Sequence, residues 1–153
     1  MNKSILENIN LLSLTIAGFI AGYLMFIVDI ALDGFLGLFG TYDIYKSWIT
    51  SQNLFHGFED IAIFLGHQIN AITFGFFLVY PKIWKFLPQN RLIKGFIFAT
   101  IWHLLVLIVS FIFGTLGSIW LKDLLKMGLN FHISLYLLHL VWGVSLALIY
   151  EEK

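Results

Sequence analysis

A chain of 153 residues has the length of a single domain, but 59% of its residues are hydrophobic and only 12% are charged. Soluble domains carry about a quarter charged residues, so this composition argues against a soluble fold. Nine basic and nine acidic residues balance, which argues against nucleic acid as a partner, and the lack of cysteine excludes disulfides, thiolate-held clusters and a cysteine nucleophile.

Four apolar stretches are long enough to cross a membrane, which takes about 20 apolar residues. The predicted spans are residues 11–32, 61–80, 93–116 and 131–150. The first is too long for a secretory signal and lacks a convincing cleavage site after it, so we expect it to be retained. We therefore expect residues 1–153 to form one four-helix transmembrane domain.

The links between these spans differ in charge. The segment "PKIWKFLPQNRLIK" has four basic residues and no acid, which predicts a cytoplasmic link and, with it, cytoplasmic termini. The segments "TYDIYKSWIT" and "SIWLKDLLKMG" belong to the two outer links and have the spacing of short amphipathic helices at the membrane surface. The expected location is the cell (inner) membrane, as a multi-pass protein.

Every span has one face of small or polar residues, which is typical of contact between membrane helices. The fourth span repeats such residues in alternating steps of four and three, the seam of a left-handed bundle. The predicted fold class is an all-α membrane protein with four transmembrane helices in an antiparallel up-down-up-down bundle, both termini cytoplasmic. The residues on these faces are Thr15, Gly18, Gly22, Met25 and Asp29; His67, Asn70 and Ala71; Ala99, His103, Val106 and Ser110; and His132, Tyr136, His139, Gly143, Leu146 and Tyr150.

Three histidines from three different spans lie near the middle of the membrane. At a rise of about 1.5 Å per residue, His67, His103 and His139 fall within one layer about 10 Å thick. Imidazoles at matched depth on facing helices are what the axial ligation of a b-type haem requires. The same residues can also form a polar layer of hydrogen bonds that joins the helices. Both interpretations stay open.

A second polar layer lies closer to the outer surface. It contains Asp29 and His132 inside the spans and His56 and Glu59 near the surface. Imidazole and carboxylate groups suit zinc, copper or iron, so these four residues are the predicted ligands of an outer metal site. Together with the central histidines they also form an Asp–His ladder, which is typical of proton or ion pathways.

Four stretches resemble a family of small four-span membrane proteins of bacteria and archaea that is known only as a domain of unknown function. They are "AGFIAGYLMFIVDIAL" in the first span, "FGFFLVY" in the second, "WHLL" in the third and "LHLVWGVSLALIY" in the fourth. The resemblance covers most of the chain and implies the four-span fold. It implies no particular activity.

The sequence contains neither GxSxG nor HExxH, so we expect no enzymatic activity. The predicted function is that of a non-catalytic membrane protein, a small subunit of a larger membrane complex in which electron transfer is the candidate process. The Gly18–Gly22 step, the two aromatic outer segments and the small mass outside the membrane favour this role. The expected partners are the lipid bilayer and other membrane subunits. A b-type cytochrome and a proton or metal-ion transporter are the alternatives.

Overall fold

The computed structural model of the protein describes residues 8–36 and 41–153. Within these residues the chain forms seven α-helices and no β-strand. In chain order they are α1 (Leu11–Leu36), α2 (Thr41–Ser51), α3 (Glu59–Val79), α4 (Pro81–Phe86), α5 (Arg91–Thr115), α6 (Ile119–Lys126) and α7 (Leu129–Ile149). The all-α prediction is confirmed.

Four of the described helices, α1, α3, α5 and α7, are long and apolar enough to cross a membrane, as in a multi-pass membrane protein. Their bounds agree with the predicted spans to within a few residues at each end. Two of them begin at asparagine caps: Asn10 Oδ1 accepts from the Ser13 N–H, and Asn90 Oδ1 accepts from the Ile93 N–H, each at 3.1 Å. Such caps satisfy N–H groups that the first helical turn leaves unpaired.

The short helices α2 and α6 confirm the two predicted amphipathic segments as helical. The helix α4 was not predicted, because the basic residues of this region indicated only a link between two spans. Pro81 stands at the start of α4, where its fixed φ angle favours a helical turn and its missing N–H costs nothing. The link between α3 and α5 is therefore a compact helical turn rather than a free loop.

The long helices do not pack equally against one another. The helix α1 packs against both α3 and α7, and α5 packs against α7 and α6. No comparable packing joins α3 to α5 among the described residues. The two helices approach through side chains, with the Phe74 and Trp102 ring centroids 4.9 Å apart. This leaves a gap between them.

Glycines allow the closest of these helix contacts. A Cβ placed on Gly95 of α5 would lie 2.6 Å from both the carbonyl oxygen of Gly143 and the Cα of Val144 on α7. A Cβ on Gly18 of α1 would lie 2.9 Å from the Cα of Ile72 on α3. Small residues therefore bring α5 against α7 and α1 against α3, as membrane helix pairs commonly do.

The start of α1, the helix α4 and the residues after α7 are held together, and we call this region the terminal end. The Asn10 N–H donates to the Tyr150 hydroxyl at 3.3 Å, and the Glu151 N–H donates to Ser13 Oγ at 2.7 Å. Trp84 Nε1 donates to Glu152 Oε1 at 2.5 Å. The buried apolar core lies next to this end, with Leu14, Leu78, Trp84, Trp142, Leu146 and Tyr150 among its members.

A buried lysine also belongs to the terminal end. Lys94 is only 4% exposed, its Nζ donates to the Trp84 carbonyl at 2.8 Å, and the same Nζ lies 3.7 Å from the centre of the Trp84 ring. A hydrogen bond and a cation–π contact offset part of the cost of burying this charge.

Candidate functional site

A cleft enters the bundle from the end that carries α2 and α6, which we call the α2–α6 end. It consists of two adjoining cavities of about 380 and 410 Å³. The larger cavity reaches up to α2, and the smaller one extends sideways into the gap between α3 and α5. We call the two together the central cleft. The residues that line both cavities are Met25, Tyr45, His67, Asn70, Trp120, Leu135 and His139.

The central cleft is closed on the side of the terminal end. Trp102 lies between the rings of Phe74 and Phe98, with centroid distances of 4.9 and 6.1 Å. Trp142, which is 3% exposed, donates its Nε1 hydrogen to the Ala71 carbonyl at 3.3 Å and so joins α7 to α3. Behind these aromatic rings lies the apolar core. The cleft is therefore closed toward the terminal end, and it extends toward the α2–α6 end and sideways into the gap between α3 and α5.

Aromatic rings from α2 and α6 form the wall at the entrance. The Trp120 ring lies 5.7 Å from the ring of Tyr45 and 5.8 Å from the ring of Trp48, measured between centroids. The sequence predicts these residues on two separate amphipathic helices at the membrane surface. In the structure the two amphipathic helices contact each other and cover part of the bundle opening.

Asp29 is a buried carboxylate at the cleft. It is 6% exposed and lines the larger cavity. Its Oδ2 accepts a hydrogen bond from the hydroxyl of Thr41, the first residue of α2, and the backbone N–H of Tyr42 lies beside the same carboxylate. Its Oδ1 has no hydrogen-bond partner within the described part of the chain. An unpaired buried carboxylate oxygen is costly, and an ionisable residue inside a span is a candidate functional group.

His67 and its neighbour Gln68 face α1. His67 Nε2 lies 3.1 Å from the Gly22 carbonyl oxygen, so this nitrogen donates and Nδ1 is the unprotonated one. Gln68 is only 3% exposed, and neither its oxygen nor its nitrogen has a partner among the described residues. A Cβ on Gly22 would lie 2.7 Å from Gln68 Oε1. Gln68 is not among the predicted site residues, although a glutamine inside an apolar span is a signal that could have indicated it.

His103 and His139 contact each other directly across the α5–α7 interface. Their Nδ1 atoms are 3.1 Å apart, and each residue is 8% exposed. One nitrogen must donate and the other accept. Beside them the Thr100 and Tyr136 hydroxyls are 2.9 Å apart. The three central histidines thus divide into a hydrogen-bonded pair and His67, while His67 and His139 both line the central cleft.

This arrangement does not fit a haem held between His103 and His139 by their facing nitrogens. Metal–nitrogen bonds of about 2 Å would place the two nitrogens about 4 Å apart on opposite sides of the iron. Here the nitrogens bond to each other at 3.1 Å. Arg91 is the one arginine of the chain and so the one guanidinium that could pair with the acidic propionates of a haem; its side chain donates to the Leu148 carbonyl at 3.0 Å. The geometry favours the polar-layer interpretation for this pair.

The four predicted ligands of the outer metal site do not share one location. The His56 side chain is 92% exposed and lies 4.0 Å from Glu59, whereas Asp29 is bonded to Thr41 inside the bundle. His132 has a buried Nδ1 that finds no partner within the described residues, and its ring packs edge-on against Phe131. No three histidine or acidic side chains of the described ranges 8–36 and 41–153 are placed to hold one metal ion.

Comparison of the chain with protein-family models, with curated proteins and with solved structures finds no match in any of the three. The site is therefore interpreted from its own geometry.

Proposed function

We propose that this chain is a non-catalytic, multi-pass protein of the cell membrane that binds a small molecule in its central cleft. The observation that carries the proposal is the cleft itself, with the buried carboxylate of Asp29 in its lining. Sites for small molecules are concave, are mostly apolar, and contain a few polar groups that orient the ligand. The central cleft has this composition, with Asp29, His67, Asn70 and His139 as its polar groups.

An up-down-up-down topology with both termini in the cytoplasm is part of this proposal. The hydrogen bonds from Asn10 to Tyr150 and from Trp84 to Glu152 support a common side for the start of α1, the α3–α5 link and the end of α7. The four basic residues of that link favour the cytoplasm for this side. The central cleft then opens to the outside.

The same contacts favour binding over the other predicted roles. Gly18 and Gly22, which motivated the role of a complex subunit, pack against Ile72 and Gln68 of the same chain. Trp120, from one of the aromatic outer segments, packs against Tyr45 and Trp48 of the other. The subunit role stays a prediction. A transport path needs a continuation through the terminal end, where aromatic rings and the apolar core close the cleft.

Cysteine accessibility tests the proposal directly, because the natural chain has no cysteine. Asn70→Cys places a thiol in the cleft, and Ile69→Cys places one on the adjacent, 62% exposed residue that does not line it. A membrane-impermeant thiol reagent added outside intact cells should modify Asn70→Cys on the order of tenfold faster or more, since the reactive thiolate forms only where water reaches it.

Equal and negligible reaction of both variants would show that no outward aqueous cleft exists and would overturn the proposed function. A faster reaction of Ile69→Cys would do the same, because it would place water on the face of α3 that we assign to lipid.

A further inference from the structure

The charged groups at the central cleft are acidic. Asp29 is the charged side chain on its wall, and no lysine or arginine is among the described residues that line it. Asp33 and Asp43 lie close enough to Asp29 to act on it electrostatically. Lys46 of α2 is bound to Asp60 at 2.7 Å, so its charge is already compensated. The field at the entrance therefore favours a positively charged ligand.

The carboxylate of Asp29 is fixed in position for such a ligand. The Thr41 hydroxyl holds Oδ2, whereas Oδ1 is buried and has no partner among the described residues. Since Asp29 lines the larger cavity, a cationic N–H group there would form a charge-assisted hydrogen bond with the carboxylate, or a quaternary ammonium group would pair with it by charge alone.

The aromatic wall selects among cations. Tyr45, Trp48 and Trp120 surround the entrance, and aromatic ring faces attract ammonium groups. A cavity of about 410 Å³ is far larger than a bare metal ion needs. No three metal-ligating side chains converge among the residues that the structure describes. An organic cation uses both the carboxylate and the rings, whereas a metal ion uses only the carboxylate.

We infer that the central cleft binds a small organic cation, with its ammonium group near the carboxylate of Asp29 and beside the aromatic residues Tyr45, Trp48 and Trp120. This inference rests on the proposed function and names the ligand class of the same site. The rest of the molecule would extend toward His67, Asn70 and His139, which offer hydrogen bonds deeper in the cleft.

Tryptophan fluorescence and calorimetry on the purified full-length protein test the inference. The probes are choline, tetramethylammonium and 2-phenylethylamine, and 3,3-dimethylbutan-1-ol serves as the neutral counterpart of choline. We expect saturable binding of at least one cation and none of the neutral alcohol. Asp29→Asn keeps the acceptor for Thr41 but removes the charge, and it should weaken binding by about tenfold or more.

Two further variants distinguish binding in the central cleft from a general attraction of cations to acidic residues. Trp120→Leu should also weaken binding, because it removes a ring face while keeping an apolar side chain. Asp33→Asn removes an acid that lies one helical turn from Asp29 and does not line the cleft. The affinity of this variant for the cation should stay within about threefold of that of the natural chain, since only a screened interaction is lost.

Four other outcomes of these binding experiments would contradict the inference. Equal binding of choline and its neutral counterpart, with Asn70→Cys still accessible, would leave the cleft function standing and overturn the cation. Binding of zinc but of none of the ammonium probes would assign a metal site instead. No binding of any probe, or binding that Asp29→Asn leaves unchanged, would overturn the inference outright.

Discussion

At the scale of single residues, Asp29 lowers the stability of the fold and is a candidate for its function. A charge at the centre of a membrane span costs about 2.5–3.5 kcal/mol on insertion scales, and the hydrogen bond from Thr41 offsets only part of the cost of an acid inside a span. Oδ1 has no hydrogen-bond partner among the described residues. An ionisable residue inside a span is by default a candidate functional group, which is why we propose Asp29 as the group that binds the ligand.

Tyr42 gives a pH-dependent prediction outside the spans. Burial, the hydrogen bond that its hydroxyl donates to Asp60, and the charges of Asp60 and Asp43 raise the pKa of Tyr42 to about 12, above its ordinary value of 10.0. A raised folded-state pKa gives stability that is complete below pH 10 and is lost as the pH rises through 12. The α2–α3 contact should therefore loosen in that window.

The ultraviolet absorbance of the phenolate measures this directly. The difference between the titrations of the natural chain and Tyr42→Phe should show a tyrosine with a midpoint near pH 12. In an Asp60→Asn background the same difference should move down toward the ordinary value, because the charge of Asp60 is gone and a neutral amide oxygen is the only acceptor left for the Tyr42 hydroxyl. A midpoint near pH 10 in the natural background would contradict the predicted contact.

At the scale of helices, the α5–α7 interface depends on the absence of side chains at Gly95 and Gly143. A methyl group at Gly95 would meet the backbone of α7 at 2.6 Å, so Gly95→Ala must push the two helices apart. We expect a loss of about 1–3 kcal/mol in the free energy of unfolding, the usual cost of overpacking. Thermal unfolding in detergent, followed by circular dichroism, measures it.

Gly66→Ala is the matched control for this prediction. It makes the same substitution inside α3, where an added Cβ would have nothing within 4 Å. Alanine favours a helix over glycine by about 1 kcal/mol, so this variant should be as stable as the natural chain or more stable. Equal stability of Gly95→Ala and Gly66→Ala would mean that α5 and α7 are not packed as closely as described.

The sequence predicts the long helices because hydrophobic length is a local property. All four spans could be located within a few residues of their observed ends. The helix α4 could not, because six residues are too few for a periodic pattern and the basic residues dominated the interpretation. Lys94 was assigned to the same basic link. In the structure it belongs to α5, and its side chain is buried against Trp84.

The candidate site could be predicted in its residues but not in its shape. Periodicity placed Asp29, His67, Asn70 and His139 on inward faces, and all four line the central cleft. The gap between α3 and α5 depends on how the helices are rotated and spaced, which no single span encodes. The role of Tyr45, Trp48 and Trp120 likewise arises only when two separate segments meet.

At the scale of the whole molecule, the two ends of the bundle differ. The terminal end is closed by hydrogen bonds between chain segments that are 140 and 138 residues apart, from Asn10 to Tyr150 and from Ser13 to Glu151. The α2–α6 end is covered by two short helices with a cavity of about 370 Å³ between them. A bundle that is closed at the terminal end and has its cleft toward the α2–α6 end suits a site entered from one side of the membrane.

The sidedness of this arrangement gives the last prediction. Single cysteines at Ser51, Gln89 and Glu151 place thiols on exposed residues of α2, of the α4–α5 link and of the C-terminal segment. With an impermeant reagent on intact cells, Ser51→Cys should react at once, whereas Gln89→Cys and Glu151→Cys should react only after permeabilisation, because basic links stay in the cytoplasm. A fully reversed pattern would keep the bundle but place the cleft on the cytoplasmic side. Opposite behaviour of Gln89→Cys and Glu151→Cys would contradict the up-down-up-down topology, since the link and the C-terminal segment would then lie on different sides.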